Sequence, residues 1–384
     1  MKRAISILLS LCLGLFVVSG ALSVVDDSLQ LFCGRDFLSF FSGTLYFLAI
    51  LVTLLVYILI GFFPMIPKRV FASLALFYLA GLLAMFPVAI YAGADWMHSC
   101  LWLDWVISIG QVVMGLGILY WLWGGWKFRW LLVDDKHLGT SRFSWRNLVA
   151  FLAINVFVLL PAMGIYFFFC TALAVDHFTA GFLALHPGSL EARVRQYVRS
   201  DGKRIELVPM AHVADANFYE RISASFPTNS IVLMEGVTDE QNLLPHGISY
   251  QRMAHSLGLV EQKKVFKPQG TVVMADVDVD EFTTNTIKAL NLALLVHAKG
   301  VNAETMMAWV QYSPPPDFLT QLDDDIVRKR NEHLLKQLQA ELPESDIIII
   351  PWGAGHMPGI ESAIETNGFH LDRTDEYTVI RFRP

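Results

Sequence analysis

The sequence predicts a multi-pass α-helical membrane region followed by an α/β domain with a largely parallel central sheet. The chain is 54% hydrophobic over 384 residues, and residues 1–176 contain five long uncharged segments and no glutamate. After residue 176, short buried-strand patterns alternate with helical patterns, which is typical of α/β folds. We therefore predict a membrane region at 1–176 and an α/β domain at 185–384.

The formal charge also divides the chain into two parts. Residues 1–176 carry +2 and the remainder carries −8, for a total of −6. The second part is roughly 200 residues long, which is enough for one complete hydrophobic core. Because an acidic domain repels phosphate backbones, nucleic-acid binding is not expected.

Five apolar segments each reach the roughly 20 residues that a transmembrane helix needs. They are residues 4–25, 37–67, 70–94, 105–126 and 147–175. The first segment is also similar to a secretory signal peptide, because Lys2 and Arg3 precede it and small residues lie around Gly20. We favour an uncleaved helix, since the segment stays apolar to Val25 and is long enough to span a bilayer.

The loops between these segments differ in Lys and Arg content. The loops that we assign to the cytoplasm contain Lys2, Arg3, Lys68, Arg69, Lys127, Arg129, Lys136, Arg142 and Arg146. The other loops contain only Arg35. Because cytoplasmic loops are enriched in Lys and Arg, the α/β domain is predicted to lie outside the cytoplasm, anchored in a plasma or inner membrane.

All four cysteines lie in the membrane region. Cys33 and Cys100 fall in the two predicted external loops, where they could form a disulfide. Two unpaired cysteines that pack as small hydrophobic residues are an equally good interpretation. Cys12 and Cys170 fit packing positions within helices.

The α/β domain begins with a predicted hairpin, in which strands at 193–199 and 204–209 flank a turn at Asp201-Gly202. Short apolar segments then predict buried strands at 231–234, 271–274 and 347–350, and two closing strands near residue 370 and at 377–382. Helices are predicted at 215–225, 251–257, 284–297, 317–341 and 358–367. Gly368 is expected to end the last helix.

Four polar side chains follow predicted strands within about five residues of their carboxyl ends. These are His212, Glu235, Asp276 and His356. Because the carboxyl ends of parallel strands meet at one edge of a sheet, we expect these side chains to converge there. Taken singly each has an ordinary interpretation, since a loop histidine is usually structural and Asp276 belongs to an acidic loop that can simply be solvated.

Arg330 lies on the apolar stripe of the helix predicted at 317–341. It falls four residues after Ile326 and four residues before Leu334. A buried arginine is costly unless it is paired, so we expect a carboxylate or an anionic substrate beside it.

This set of residues is compatible with two kinds of hydrolytic chemistry. His212, Glu235, His356 and Asp276 suit a divalent metal ion that activates water, whose identity the sequence leaves open. A metal-free alternative uses a histidine as general base, oriented by Glu235. In both, Arg330 and the backbone N–H groups of residues 353–355 are expected to stabilise the developing oxyanion.

The motifs of this domain resemble the TraB/PrgY/GumN family, which is grouped with the Tiki metalloproteases and the erythromycin esterases. They are the segments 208–212 (VPMAH), 231–235 (IVLME), 330–331 (RN) and 353–359 (GAGHMPG). The resemblance covers roughly residues 200–370 and implies site roles for His212, Glu235, Arg330 and His356. One departure is Pro209, which replaces the glycine of the family's first G-x-x-H motif and cannot support a positive φ.

The hypothesis that follows is a membrane-anchored hydrolase, acting outside the cytoplasm on a peptide or a small ester. The alternative is a non-catalytic binding or regulatory protein that keeps the fold and contacts a membrane-protein partner. A transporter is a third hypothesis, but the five apolar segments contain no charged residue of the kind that marks transport sites.

Overall fold

The computed structural model of the chain describes residues 2–93, 96–125, 131–140, 143–244, 250–300, 302–315 and 317–382, without the side chains of Arg252 and Ala298. The chain divides into two compact units, Met1–Cys170 and Thr171–Pro384. Several residues of the sequence predictions lie outside the described ranges. They are Ala94 and Trp126 at the ends of apolar segments and the loop residues Lys127, Arg129 and Arg142.

Among the described residues, five helical spans are long and apolar enough to cross a membrane, and all begin in the first unit; the fifth continues to Phe178 in the second. The first four are α1 (Lys2–Cys33), α2 (Ser39–Phe62), α3 (Lys68–Tyr91) and α4 (Trp96–Trp123). The fifth, Trp145–Phe178, consists of α5 (Trp145–Ile154), a π-helical turn (Asn155–Leu159) and α6 (Leu160–Phe178). The π-helical turn directly precedes Pro161, whose missing N–H interrupts the regular ladder of helical hydrogen bonds.

Two of these helices are longer than their apolar segments. α1 continues past Val25 through Asp26 and Asp27, and α4 begins nine residues before Trp105, so that it includes Asp104. The Oγ of Ser108 in α4 donates to Oδ2 of Asp27 at 3.0 Å, which satisfies part of that buried carboxylate. Hydropathy alone therefore ends α1 too early and starts α4 too late. Helical hydrogen bonding continues through polar residues at the ends of these helices.

The cysteines of the first unit are unpaired. Cys33 is exposed, Cys12 and Cys170 are buried, and Cys33 and Cys100 are not linked. Cys33 and Cys100 are therefore unpaired, but the exposed Cys33 does not pack as a small hydrophobic residue. α1 is packed tightly within its unit, since Leu9 and Phe16 are fully buried.

The second unit contains the remaining helices and all of the strands. The helices are α7 (Ala216–Ser225), α8 (Gln251–Leu257), α9 (Gln262–Val265), α10 (Thr284–Lys299), α11 (Ala303–Gln311), α12 (Phe318–Asp323), α13 (Lys329–Glu341) and α14 (Met357–Thr366). The strands are β1 (Leu183–His186), β2 (Ser189–Val198), β3 (Arg204–Met210), β4 (Val213–Ala214), β5 (Ile231–Met234), β6 (Val260–Glu261), β7 (Thr271–Met274), β8 (Ile347–Gly353) and β9 (His370–Arg381).

Seven strands form one mixed sheet in the order β1-β2-β3-β8-β5-β7, with β9 paired to the other edge of β2. The pairs β3–β8, β8–β5 and β5–β7 are parallel, as predicted for the central sheet. The pairs that β2 makes with β1, β3 and β9 are antiparallel. The sheet is therefore parallel only from β3 to β7, and this part carries the predicted site residues on its carboxyl edge.

The predicted turns are present where the sequence signals were strong. Gly202 has a φ of 88° in the hairpin between β2 and β3, and Gly368 has a φ of 84° after α14. The prediction of two closing strands was wrong, because residues 370–381 form the single long strand β9. This strand pairs with β2 along its whole length, with shifts of register at two points.

β8 lies at the centre of the parallel part of the sheet, and its isoleucines are buried on both faces. Ile348 and Ile350 belong to a cluster that includes Leu334 of α13, whereas Ile349 packs against the opposite cluster around Val208. This alternation follows from the pleat of a strand, in which successive side chains point to opposite faces. The core therefore fixes both β8 and α13, which carry the residues of the site described next.

Candidate active site

His356 lies in the tight turn that joins β8 to α14. Its backbone N–H donates to the carbonyl of Gly353 at 2.9 Å, and helix α14 begins at the next residue. Trp352 lies beneath the turn, with its ring 5.2 Å from that of His356 in an edge-to-face arrangement. Only 6% of His356 is exposed, so the turn holds the imidazole inside the domain.

Both ring nitrogens of His356 have partners. The Nδ1–H donates to Oδ1 of Asn331 at 2.7 Å, and Nε2 accepts from Nη1 of Arg330 at 3.1 Å. The amide nitrogen of Asn331 donates to the His356 carbonyl at 3.4 Å, which fixes the orientation of that amide. Burial, together with the positive charge of Arg330, lowers the pKa of His356 to about 4, so the imidazole is neutral at pH 7.

Arg330 is the centre of the buried polar network. Its Nε and Nη2 donate to the two carboxylate oxygens of Asp276 at 2.9 and 2.7 Å, and Nη2 also donates to Glu235 at 2.7 Å. Its Nη1 donates to His356 and to the carbonyl of Ile326, at 3.4 Å for the latter. Burial lowers the pKa of Arg330, but hydrogen bonds and charge from Asp276 and Glu235 outweigh this effect, so the pKa is raised.

The two carboxylates are held by backbone groups as well as by Arg330. Asp276 is fully buried and accepts from the N–H groups of Gly236 and Val277, each at 2.9 Å. Glu235 accepts from the N–H of Gly353 at 2.6 Å. The carboxylates follow β5 and β7 and the imidazole follows β8, so the parallel strands bring these three side chains together as predicted.

His212 lies outside this network. It follows β3, its side chain is exposed, and its ring stacks on that of Tyr250 with centroids 4.6 Å apart and planes 11° apart. Its carbonyl accepts from the N–H of Gln262 at 2.9 Å, which fixes the backbone. No hydrogen bond of its imidazole to another described residue is present, so this histidine is free to contact a ligand.

A cavity of about 470 Å³ lies next to the network. Its polar wall includes His212, Glu235, Tyr250, Glu261, Gln262, Lys263 and Arg330. Its apolar wall is formed by Met234, Val237, Leu244, Phe266, Phe282, Leu290 and Ile326. Within the described part of the chain, neither His356 nor Asp276 contributes to the wall, so the structure does not bring the two imidazoles to one surface of the cavity.

The predicted divalent metal ion does not fit the side chains as they are arranged here. Within the described ranges, no group of three or more His, Cys, Asp and Glu side chains is placed to hold a metal. The guanidinium of Arg330 occupies the position between both carboxylates and Nε2 of His356, and it uses the lone pairs that a metal would need. The metal therefore stays a prediction.

Two of the groups predicted to donate to the oxyanion already donate their hydrogen bonds to acceptors within the protein. The N–H of Gly353 is bound to Glu235, and all five N–H bonds of Arg330 have acceptors within the protein. Arg330 and Gly353 therefore hold Glu235 in place. The hydroxyl of Tyr250 is a better candidate donor. Burial and the charge of Glu235 raise its pKa, which keeps it protonated.

Sequence reasoning did not assign roles to Tyr250 or Asn331. Asn331 follows Arg330 directly in α13, and a buried asparagine beside a buried arginine was the available signal. Tyr250 directly precedes the first residue of α8, and no periodic sequence pattern marks it. Pro209 lies inside β3, beyond the last residue of β3 that pairs with β2, so a strand conformation accommodates its fixed φ.

Comparison of the chain with protein-family models, with curated proteins and with solved structures found no match. The resemblance to the TraB/PrgY/GumN family thus stays a prediction from the motifs. What the structure defines is a class of protein: a unit of five apolar helices followed by an α/β domain with a buried Arg-carboxylate-His network beside a cavity.

Proposed function

We propose that the chain is a membrane-anchored hydrolase of the TraB/Tiki type, whose α/β domain acts outside the cytoplasm on an apolar ester or peptide. The observation that carries the proposal is the cavity beside the buried network. It is lined by a histidine, carboxylate side chains and a tyrosine, together with Gln262, Lys263 and Arg330, and by seven apolar side chains. This combination suits an uncharged substrate with an apolar group.

In the proposed mechanism, His212 is the general base. Its imidazole faces the cavity, makes no hydrogen bond to another described residue and can take a proton from a water molecule that attacks the substrate carbonyl. We assign donation to the developing oxyanion to the hydroxyl of Tyr250, whose ring stacks on that of His212, and to the ammonium of Lys263, which also lines the cavity. As the carbonyl–heteroatom bond breaks, the His212 imidazolium returns its proton to the leaving alkoxide or amine. His356 is a poor base, because it is buried and both of its nitrogens are engaged.

Glu235, Asp276, Arg330 and His356 then act mainly as positioning residues. Glu235 is the member of this set that contributes a carboxylate to the cavity, with its side chain 9% exposed. Arg330 and the N–H of Gly353 fix the orientation of that carboxylate. A fixed negative charge on the wall stabilises the imidazolium that His212 becomes during proton transfer.

The second candidate function is a non-catalytic binding domain on the same anchor. The observation that favours it is the saturation of the network, since Arg330 and both nitrogens of His356 have partners within the protein. A purely structural role is sufficient to explain such a network, which would then fix the fold around a binding cavity.

Hydrolysis of a substrate panel by the full chain in lipid nanodiscs distinguishes these functions. The panel contains p-nitrophenyl esters of increasing acyl length and fluorogenic peptides with apolar side chains, each assayed with and without EDTA. We expect hydrolysis that EDTA does not reduce and that is lost in His212→Ala. Loss on EDTA addition, restored by a divalent ion, supports the metal mechanism. Absence of hydrolysis across the panel supports the binding function.

A further inference from the structure

Three carboxylates lie within the helices of the first unit, where the apolar segments of the sequence contain none. Asp26 and Asp27 are buried in α1, and Asp104 lies in the third turn of α4. Charged residues within membrane helices are costly and usually mark a functional site. These three are not explained by the hydrolase proposed above.

Among the described residues, no cation pairs with these carboxylates. Asp27 accepts from the hydroxyl of Ser108 at 3.0 Å, and Asp26 accepts from that of Ser39 at 3.3 Å. No salt bridge within the described ranges involves Asp26, Asp27 or Asp104, and Asp104 is exposed. The negative charge at this end of the helices is therefore available to a cationic ligand.

Asp104 also contributes to the wall of a groove of about 460 Å³ between α2, α3 and α4. It is the only charged residue among the described residues that line the groove. The polar groups that accompany it are Tyr46, Thr53 and Tyr78. The rest of the wall is Ile50, Leu54, Ala75, Leu79, Gly81, Leu82, Met85 and Ile107.

The polar and apolar groups are ordered along the helices. Ser108, one helical turn after Asp104, bonds to Asp27, and the neighbouring Asp26 bonds to Ser39 at the start of α2. Asp104 therefore lies level with the first turn of α2. Thr53 is fourteen residues further along α2, which is about 20 Å at the helical rise per residue. The groove thus has a charged mouth at Asp104 and a long floor that is apolar apart from Thr53.

Two tyrosine rings lie between the mouth and the floor. The rings of Tyr46 and Tyr78 meet edge to face with centroids 5.4 Å apart, and the hydroxyl of Tyr78 accepts from the amide of Gln111 at 3.2 Å. Aromatic faces beside a carboxylate are the surroundings that proteins use to bind ammonium groups.

We propose that this groove binds an amphipathic organic cation, with an ammonium group at Asp104 and Tyr46 and an aliphatic body along α2 and α3. The charge of the mouth selects a cation over an anion, and the apolar floor selects an aliphatic chain over a hydrophilic amine. This site is independent of the cavity in the α/β domain, so it stands or falls separately from the proposed hydrolase.

Binding of radiolabelled dodecyltrimethylammonium to the full chain in phosphatidylcholine nanodiscs tests the site, with empty nanodiscs subtracted. We expect saturable binding that Asp104→Asn weakens at least about tenfold. Asp104→Glu is expected to keep most of the affinity, which excludes misfolding as the cause of the loss. Asp36→Asn is the matched control, because Asp36 lies between α1 and α2 and outside the groove.

Uncharged dodecanol and anionic dodecyl sulfate complete the test. We expect neither to compete for the protein-dependent binding. The proposal is overturned if the cation shows no saturable binding, if Asp104→Asn binds as tightly as the wild type, or if dodecanol competes equally well. The last result would define the groove as a general lipid-binding surface.

Discussion

Arg330 determines the properties of the other polar residues of the site. A single guanidinium satisfies Asp276, Glu235 and Nε2 of His356. A buried ion pair of this kind contributes little net stability compared with apolar packing, but the loss of one partner leaves an uncompensated buried charge. The stability of the protein is therefore far more sensitive to the loss of Arg330 than to the loss of an arginine in a surface ion pair.

The first prediction compares Arg330→Ala with Arg328→Ala. We expect Arg330→Ala to lower the free energy of unfolding by about 3–5 kcal/mol, because it leaves the fully buried Asp276 unpaired. Arg328 lies two residues earlier, is exposed, and pairs with Asp324 and Glu332 on the surface. Urea unfolding of the full chain in detergent measures both, and equal effects of the two substitutions would contradict the account of the network.

The second prediction concerns the pH dependence that His356 introduces. Its pKa is lowered to about 4 in the folded protein from an ordinary value of 6.5, so the unfolded chain binds an additional proton between these values. Stability is therefore complete above pH 6.5 and falls as the pH decreases toward 4. For a fully neutral buried imidazole the loss amounts to up to about 3 kcal/mol.

Unfolding midpoints of the wild type and of His356→Gln at pH 7 and pH 5 measure this effect. We expect the wild type to lose more stability than the variant between these pH values, since other groups titrate equally in both proteins. An identical pH dependence would mean that folding does not lower the pKa of His356.

At the scale of elements, the turn between β8 and α14 depends on close packing against α13. A Cβ at Gly359 would lie 2.7 Å from Nδ2 of Asn331, whereas a Cβ at Gly355 would meet no atom within 4 Å. Glycine at 359 thus allows α14 to approach the residue that holds His356.

The third prediction uses these two glycines as a matched pair. We expect Gly359→Ala to displace Asn331, to break its hydrogen bond with His356 and to cost about 1–3 kcal/mol of stability. Gly355→Ala is expected to leave stability and hydrolysis unchanged. Thermal unfolding of the two variants provides the comparison, and a neutral Gly359→Ala would show that Asn331 does not position His356.

The elements also show how far the sequence determines this fold. Gln251–Leu257 and Thr271–Met274 coincide with their predicted bounds, because turn residues and apolar patterns mark both ends. Two strands were predicted where the structure has the single strand β9. Its residues do not alternate between apolar and polar side chains, so only its pairing with β2 defines it. The convergence of Glu235, Asp276 and His356 followed from parallel-strand order.

The position of His212 relative to that network could not be predicted from strand order. Strand order brings a residue to the correct edge, but the packing of the loop decides whether its side chain faces inward or toward a cavity. Stacking on Tyr250 places His212 on the cavity wall, and no local pattern predicts that contact. For the same reason, the sequence could not show that Arg330 occupies the position expected for a metal.

At the scale of the whole molecule, five apolar helices exceed what an anchor requires. The cation site that we propose in the groove with Asp104 assigns these helices a role of their own. The orientation proposed for the α/β domain rests on the Lys and Arg content of the loops, and it determines on which side of the membrane the hydrolase acts.

The fourth prediction tests this orientation with the native cysteines. Cys33 is exposed at the last residue of α1, on the side assigned to the exterior, whereas Cys12 is buried within α1. We expect a membrane-impermeant maleimide to label Cys33 in intact cells and to leave Cys12 unmodified. Labelling of Cys33 only after the cells are permeabilised would reverse the orientation and place the α/β domain in the cytoplasm.

The central claim, that His212 is the base of a hydrolytic site, is tested most directly by kcat/KM for the best substrate of the panel. His212→Ala is compared with His255→Ala, a change at an exposed histidine of α8 that does not line the cavity. Loss of a general base costs about 10²–10⁴-fold in rate, so we predict a decrease of at least about 100-fold for His212→Ala and none for His255→Ala. An unchanged kcat/KM in His212→Ala would contradict the proposed active site.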